Sequence, residues 1–164
     1  MHRITTALHT LIAKFKGTAV QSRPAQRHEG EIVLLSCVKS KRANRCKAAD
    51  MYTSPLFRKM MAYALSLKPK GVYILSAKYG LLKPDDIIDP YEQTLKKMSA
   101  RDRQQWARTV VTKLGQQCDL DADQFVILAG SAYRENLVPH LKHFKVPMAG
   151  LSFGKQLQWL ERQS

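Results

Sequence analysis

The sequence predicts a single α/β domain in which a mostly parallel sheet of about four strands is flanked by helices. Two observations predict it: the 164 residues have the length of one domain, and short apolar runs alternate with amphipathic runs. Such alternation implies right-handed crossovers and parallel pairing. Parallel sheets bind their ligands at the carboxyl ends of the strands. The segments that follow the strands are therefore the candidate site: 36–47, 76–94, 130–134 and 150–155.

Residues 1–28 are predicted to be a basic amphipathic extension, and residues 29–164 to be the α/β domain. The extension contains no acid, and its apolar residues recur at helical spacing: Ile4, Leu8, Leu11, Ile12 and Phe15. It is too polar for a secretory signal. A helix packed on the domain and a basic arm on nucleic acid both fit this pattern.

Strands are predicted at 31–37, 71–76 and 124–130, with a short fourth strand or extended piece at 146–148. A helix should begin at Pro55, capped by Ser54, and run to about residue 67. The next should follow Ser99 and end near Cys118. A third is expected from Ala132 to about residue 144, bent or shortened by Pro139. A final helix follows residues 150–154.

The charge favours a polyanionic partner. Lys and Arg number 27 against 13 acids, which gives a net charge of +14. Nucleic acid is the expected partner, since a surplus of this size attracts polyanions. No apolar run is long enough for a membrane span, so no membrane partner is expected. Three cysteines without paired spacing favour reduced thiols in the cytoplasm and give no framework for a metal site.

The stretch 75–95 carries the densest set of reactive groups. Gly80, Pro84 and Pro90 break regular structure there, so we expect a loop. Loops on a rigid scaffold are where sites are usually built. The reactive side chains are Lys78, Tyr79, Asp85, Asp86, Asp89, Tyr91 and Glu92. Turn chemistry explains Asp85 and Asp86 as readily as catalysis does. The stretch is expected to form a base pocket from Lys78, Tyr79, Asp89 and Tyr91.

Ser36 and Cys37 end the first predicted strand, and a cationic loop follows. Lys39 and Lys41 would favour the nucleophilic thiolate of Cys37. A buried cysteine that acts as a small hydrophobic residue is the alternative. The four cations that we expect to contact DNA phosphates are Lys39, Lys41, Arg42 and Arg45.

Gly130 and Ser131 open the third predicted helix, and its first backbone N–H groups could bind an anion that Arg134 also reaches. Lys155 stands in a similar position in the last helix. The sequence contains no P-loop, dinucleotide-binding or hydrolase-elbow motif, which removes support for those classes. Ser36, Tyr91, Ser131, Arg134 and Lys155 are therefore the predicted substrate-binding residues.

The run 76–91, with Ser36, Cys37 and the stretch 39–41, resembles the YaaA superfamily. The shared features are a strand, a tyrosine–glycine turn, a hydrophobic pair and an Asp-Ile…Pro-Tyr ending. The ending at 150–160 looks like a short-chain branch, and the resemblance covers about residue 31 to the C-terminus. It implies a core similar to uracil-DNA glycosylases and a role with DNA or modified bases, so double-stranded DNA that contains a modified base is the expected partner. Its DpdC branch implies hydration of 7-cyano-7-deazaguanine in DNA to the 7-amido form, within a multi-protein modification system.

For that reaction the residues offer Cys37 as nucleophile, Lys78 or Tyr79 as proton donor, and Asp89 as the base for water. A carboxylate that activates water directly would leave Cys37 structural. Neither route needs a metal or another cofactor. Two other functions remain open: a non-catalytic DNA-binding protein, and an N-glycosidic hydrolase that acts on a modified base.

Overall fold

Residues 30–164 are described by a computed structural model, and the predicted extension at residues 1–28 lies outside the described residues. The strands are β1 (Ile32–Ser36), β2 (Cys46–Lys47), β3 (Gly71–Ser76), β4 (Gly80–Leu82), β5 (Ile87–Ile88), β6 (Gln124–Leu128) and β7 (His143–Lys145). The helices are α1 (Ala48–Met51), α2 (Pro55–Ser66), α3 (Ala100–Gly115), α4 (Ser131–Arg134) and α5 (Phe153–Glu161). Single 3₁₀ turns cover Leu95–Lys97 and Val138–His140.

A five-stranded sheet in the order β4-β3-β1-β6-β7 forms the centre of the domain. β1 pairs in parallel with β3 and β6, β7 is parallel to β6, and β4 is antiparallel to β3. This confirms a single α/β domain with a mostly parallel central sheet. The sheet is compatible with the uracil-DNA glycosylase-like core that the resemblance implies, and that likeness stays a prediction.

The middle of β1 is apolar on both faces because helices cover both. Ile32 to Leu35 are each at most 1% exposed. α2 packs against β1 and α5, whereas α3 packs against β4. The chain moves from β1 to β3 in one direction and from β3 to β6 in the other, so right-handed crossovers place α2 and α3 on opposite faces. No helix in the described range is both long and apolar enough to cross a membrane.

The predicted helix starts are confirmed by their caps. The Ser54 hydroxyl accepts a hydrogen bond from the Phe57 amide at 3.2 Å, and Pro55 is the first helical residue. The Ser99 hydroxyl accepts from the Asp102 amide at 3.1 Å. Both serines satisfy an amide that has no partner within the helix.

The helix predicted over residues 132–144 is wrong. α4 ends at Arg134, and residues 138–140 form a 3₁₀ turn around Pro139. Proline lacks the amide that an α-helix needs and disfavours helical backbone in the residue before it. The chain then forms β7, where Phe144 pairs with Phe125 of β6. The strand expected at 146–148 therefore lies three residues earlier.

The stretch 75–95 is more regular than expected, because it contains β4 and β5. β4 raises the number of strands in the central sheet from the expected four or so to five. After a tight turn, β4 reverses direction beside β3, and Gly80 opposite Ser76 adopts a φ of +74°. The Ser76 hydroxyl supports the turn by accepting from the Tyr79 amide at 3.1 Å. Farther on, β5 pairs with β2 of the cationic loop. Residues 83–91 are thereby tied to the loop that follows β1.

Candidate functional site

The carboxyl ends of β1 and β6 flank the point where the order of the sheet reverses. From β1 the chain crosses to β3 on one side, and from β6 it continues to β7 on the other. In open α/β sheets, ligands bind in the crevice at this switch point. A cavity of about 300 Å³ lies there, which we call the switch-point cavity.

Ser36, Ser131 and Arg134 all line the switch-point cavity. Its apolar walls include Leu56, Met60, Met148 and Leu151. Three predicted substrate-binding residues, which are far apart in sequence, are thus brought together. The cavity offers one guanidinium and two hydroxyls over apolar walls. This arrangement fits a small polar ligand.

The expected anion site at the start of α4 is limited by the length of that helix. α4 has four residues, too few to align the peptide dipoles that make a helix start attractive to anions. Any anion in the cavity would depend on Arg134, whose Nη1 already donates to the Ala129 carbonyl at 3.2 Å. Its other guanidinium donors have no protein partner among residues 30–164. Lys155 is exposed on α5 and is absent from the described lining of the cavity.

Cys37 points away from the switch-point cavity. Its amide extends the β1–β3 ladder by donating to the Leu75 carbonyl at 2.9 Å, and successive residues of extended chain face opposite sides of a sheet. The Cys37 thiol lies 3.1 Å from the Tyr133 hydroxyl, and the residue is 8% exposed. Ser36 and Cys37 therefore belong to two different sites on opposite faces.

A network of hydroxyls surrounds the buried thiol. The Tyr91 hydroxyl lies 2.8 Å from the hydroxyls of both Tyr52 and Ser76. Together with Cys37 and Tyr133, these three residues form what we call the thiol–hydroxyl cluster. The indole of Trp106 packs edge-on against Tyr133, and its N–H donates to the Ser76 carbonyl at 2.9 Å.

The phenols of this cluster are held in their neutral form. Burial raises the pKa of Tyr52 to about 12. Burial, followed by the proximity of Cys37, also raises the pKa of Tyr91 and Tyr133. At neutral pH these phenols are hydrogen-bond donors, and the raised pKa makes each of them a weaker acid than an exposed tyrosine.

The segment that ends at Tyr91 covers the cluster and is fixed by the cationic loop. The Lys41 ammonium lies 4.4 Å from the Tyr91 ring centroid. Arg45 lies 3.9 Å from the carboxylate of Asp89, whose side chain is 60% exposed. The Tyr79 hydroxyl donates to the Asp89 carbonyl at 3.2 Å. Asp89 therefore faces solvent beside Arg45 and is not turned into the cluster.

Lys78 and Tyr79 line a second cleft of about 520 Å³, on the α3 face of the sheet. They lie in the turn between β3 and β4, which directs them toward α3. The expected pocket of Lys78, Tyr79, Asp89 and Tyr91 is therefore only partly formed. Tyr79 contacts both the Tyr91 ring and the Asp89 carbonyl. The Tyr91 hydroxyl, however, lies in the thiol–hydroxyl cluster, the Asp89 carboxylate at the surface, and Lys78 in this cleft.

The four expected phosphate contacts differ in how freely they can act. Lys39 is exposed, while Lys41 is held over Tyr91 and its ammonium donates to the Lys39 carbonyl at 3.3 Å. The Arg42 Nε donates to the Asp50 carbonyl at 2.8 Å. Arg45 faces Asp89. Three of the four cations thus also brace the loop that carries them.

Asp86 makes a turn hydrogen bond, whereas Asp85 makes an ion pair with Lys47. A carboxylate oxygen of Asp86 accepts from the Lys83 amide at 2.7 Å, closing the turn around Pro84. Asp85 accepts from the Lys47 ammonium at 2.8 Å, and this hydrogen bond raises the pKa of Lys47. Residues 30–164 hold no group of three His, Cys, Asp or Glu side chains that could bind a metal ion.

Sequence reasoning missed Tyr52, Tyr133 and Trp106 as part of the site. Tyr133 and Trp106 fall on apolar faces of their helices, where a core role is the usual interpretation. The sequence contains one signal for this cluster: Ser76 places a hydroxyl at the end of a largely apolar strand, as Ser36 does in β1. A buried serine needs partners, and tyrosines at the same sheet edge are suitable ones.

Comparison with known proteins places this arrangement in a family. No curated protein matches the chain. The model of DUF6884, a family of unknown function, matches residues 32–162, from β1 to the end of α5. That range contains both the switch-point cavity and the thiol–hydroxyl cluster, and the chain therefore belongs to the DUF6884 family.

Proposed function

We propose that the protein binds DNA and receives one base in the switch-point cavity. The observation that carries the proposal is the convergence of Ser36, Ser131 and Arg134 at the reversal point of a parallel sheet. The volume of about 300 Å³ is at the lower end of the range for small-ligand sites. A base that enters such a pocket leaves the stack, as it does in enzymes that act on single bases in DNA.

The charge of the described residues supports DNA as the ligand. Five of the 27 cations lie within residues 1–28, so residues 30–164 hold 22 cations against 12 acids. Salt bridges within the described residues occupy six of these cations, and Lys39 is among the others. Cations without a carboxylate partner are available to phosphates.

The resemblance to the YaaA superfamily supports a 7-deazaguanine as the base. Its ring carries O6 as an acceptor and, in the cyano or amido form, a second acceptor on the substituent. The Arg134 guanidinium and the hydroxyls of Ser36 and Ser131 are donors that can meet such acceptors. A guanidinium that bonds two acceptors gives both orientation and selectivity.

The test compares duplexes with and without 7-cyano-7-deazaguanine in fluorescence anisotropy. Wild type should prefer the modified duplex, and Arg134→Lys should lose that preference about 5-fold or more while retaining general DNA binding. Lys142→Ala is the matched control, because Lys142 precedes β7 at the opposite, amino edge of the sheet. An unchanged preference in Arg134→Lys would refute the placement of the base in this cavity.

Hydration of the nitrile is a second candidate function, and the contact between Cys37 and Tyr133 favours it. The Cys37 sulfur would add to the nitrile carbon while the thiol proton passes to the Tyr133 hydroxyl and the hydroxyl proton passes to the nitrile nitrogen, giving a thioimidate. Water would then add across the C=N bond, and cleavage of the C–S bond would release the amide while the proton of the new hydroxyl returns through Tyr133 to the sulfur. The substrate gains one water overall. Because Cys37 faces away from the switch-point cavity and Tyr91 covers the thiol, this reaction requires the segment that ends at Tyr91 to open and the base to enter the thiol–hydroxyl cluster instead of that cavity.

Mass spectrometry of nucleosides from treated DNA tests the reaction. Hydration adds one water to the cyano nucleoside, and Cys37→Ala should abolish that gain while Cys118→Ala, near the end of α3, retains it. Binding without any product would leave the non-catalytic DNA-binding function. Release of the free base would instead identify an N-glycosidic hydrolase.

A further inference from the structure

The cleft lined by Lys78 and Tyr79 is separate from the switch-point cavity. We infer that it is a second binding site, which takes another nucleotide of the same DNA strand, with the base against Tyr79 and the phosphate near Lys78 and Lys113. The inference rests on the proposed function, since it extends the DNA contact from one base to two. The cleft has a volume of about 520 Å³ and lies between the β3–β4 turn and α3.

An aromatic side chain is fixed in this cleft in the absence of a ligand. Tyr79 is partly exposed, and its hydroxyl donates to the Asp89 carbonyl. Its ring packs edge-on against Tyr91, with centroids 5.5 Å apart. A ring that is already held loses little freedom when a base stacks on it. Stacking on aromatic side chains is how proteins hold unpaired bases of any sequence.

The polar groups of the cleft are mainly donors. The side chain of Gln93 has no hydrogen-bond partner among residues 30–164. Gln105 accepts from Arg108 at 2.8 Å through its oxygen, which leaves its NH₂ group available. Lys78 and Lys113 have no carboxylate partner within the described range. Asp102 is the one acid in the described lining, and it accepts from the Ser99 hydroxyl at 2.7 Å. Amide and ammonium donors suit the carbonyl oxygens of a base and the oxygens of a phosphate.

The two sites are placed so that one strand can reach both. The switch-point cavity lies at the ends of β1 and β6, and the second cleft lies beyond β3 at the turn into β4. Two strand spacings, roughly 10 Å, separate β6 from β3 along the sheet edge, and the DNA strand must also cross that edge, because α2 lines the first site and α3 lines the second. The cationic loop, with Lys39 exposed, follows β1 between them. A strand that crosses this edge would pass cations along its path.

Trp106 offers a direct readout, because it lines the second cleft and the chain has two tryptophans. Trp159→Phe removes the other one, which lies on α5, and keeps a ring against Tyr63. Titration of this variant with a single-stranded oligodeoxynucleotide should change the fluorescence of Trp106. In the same background Gln93→Ala and Tyr79→Ala should weaken binding, the latter about 5-fold or more. Lys113→Ala should lower the dependence of log K on log salt by about 0.7.

The controls separate this inference from the proposed function. Tyr79→Phe keeps the ring but loses the bond to the Asp89 carbonyl, so it should lose less affinity than Tyr79→Ala does. Lys142→Ala should leave both affinity and fluorescence change unaltered. Binding in anisotropy without a change in Trp106 fluorescence, and without loss in Gln93→Ala or Lys113→Ala, would overturn the second site and leave the first intact. Inorganic polyphosphate that matches DNA in both readouts would overturn the role of the base. Complete absence of DNA binding would overturn both proposals.

Discussion

The thiol of Cys37 and the hydroxyl of Tyr133 lie 3.1 Å apart although 96 residues separate them in the chain. β1 and β6 bring them together because the two strands are neighbours and end at the same edge. Both residues are less than a tenth exposed. Their contact is therefore part of the core as well as a candidate reaction centre. A substitution at either residue can change the free energy of unfolding, the reaction rate or both, so the two quantities have to be measured separately.

Replacing Tyr91 by Phe should lower the free energy of unfolding by about 1–3 kcal/mol. The substitution leaves the buried hydroxyls of Tyr52 and Ser76 without the partner that lies 2.8 Å from each. Urea denaturation measures the change. Tyr63→Phe is the matched control, because the Tyr63 side chain makes no hydrogen bond within residues 30–164, and its effect should stay under about 0.5 kcal/mol. Equal effects of the two substitutions would contradict the network.

Alkaline pH should destabilise the protein through its buried tyrosines. Burial raises the pKa of Tyr52 from 10.0 to about 12, so the unfolded chain loses this proton at lower pH than the folded protein does. The stabilisation is complete below pH 10.0 and is lost as pH rises toward about 12, at up to about 1.4 kcal/mol per pH unit for one tyrosine. Tyr91 and Tyr133 add to the loss with the same sign. Denaturation at a series of alkaline pH values should show a shallower decline in Tyr52→Phe.

The caps of α2 and α5 should respond differently to loss of their serine. Ser54→Ala removes an acceptor for the Phe57 amide and should cost about 1 kcal/mol. Ser152 precedes α5 in the same position, but its side chain makes no capping hydrogen bond. Ser152→Ala should therefore cost only a few tenths of that amount. Thermal or urea denaturation of the two variants measures the difference, and a larger loss in Ser152→Ala would be inconsistent with the observed caps.

Alanine substitutions of Lys39 and Lys41 should both weaken DNA binding, but only the substitution of Lys41 should lower the stability of the fold. Lys39→Ala removes an exposed cation, so it should lower the salt slope of duplex binding by about 0.9 without changing the free energy of unfolding. Lys41→Ala also removes the ammonium over the Tyr91 ring and should cost about 0.5–1 kcal/mol of stability. Anisotropy at several salt concentrations and urea denaturation provide the two readouts. A stability loss in Lys39→Ala would show that this side chain is structural.

The sequence was sufficient for those parts of the fold that local chemistry determines. The capped starts at Ser54 and Ser99 and the apolar run of β1 each contain their own signal. The early end of α4 has no such local signal, because Pro139 is compatible with either a bent helix or a broken one. The pairing of Phe144 with Phe125 in the sheet selects the broken helix. The same holds for β4, whose three residues become a strand only because β3 lies beside them.

The candidate site divides in a similar way. The rule for parallel sheets correctly brought Ser36, Ser131 and Arg134 to one edge. It could not assign each residue to a face, because that depends on strand register and on the turn into β4. Cys37, Lys78 and Asp89 consequently occupy three places where one pocket was expected. Tyr133 was assigned to a helix core because the sequence does not show that its hydroxyl would meet a thiol.

The central position of β1 also affects the order in which the chain can assemble. β1 and β3 can pair once the chain reaches Ser76, but the other edge of β1 stays open until Gln124–Leu128 of β6 have been synthesised. During that interval the apolar residues Ile32 to Leu35 border an unpaired strand edge, which is a template for association between nascent chains. Chains that stop before β6 should consequently aggregate, whereas completion of β6 closes that edge within the same molecule.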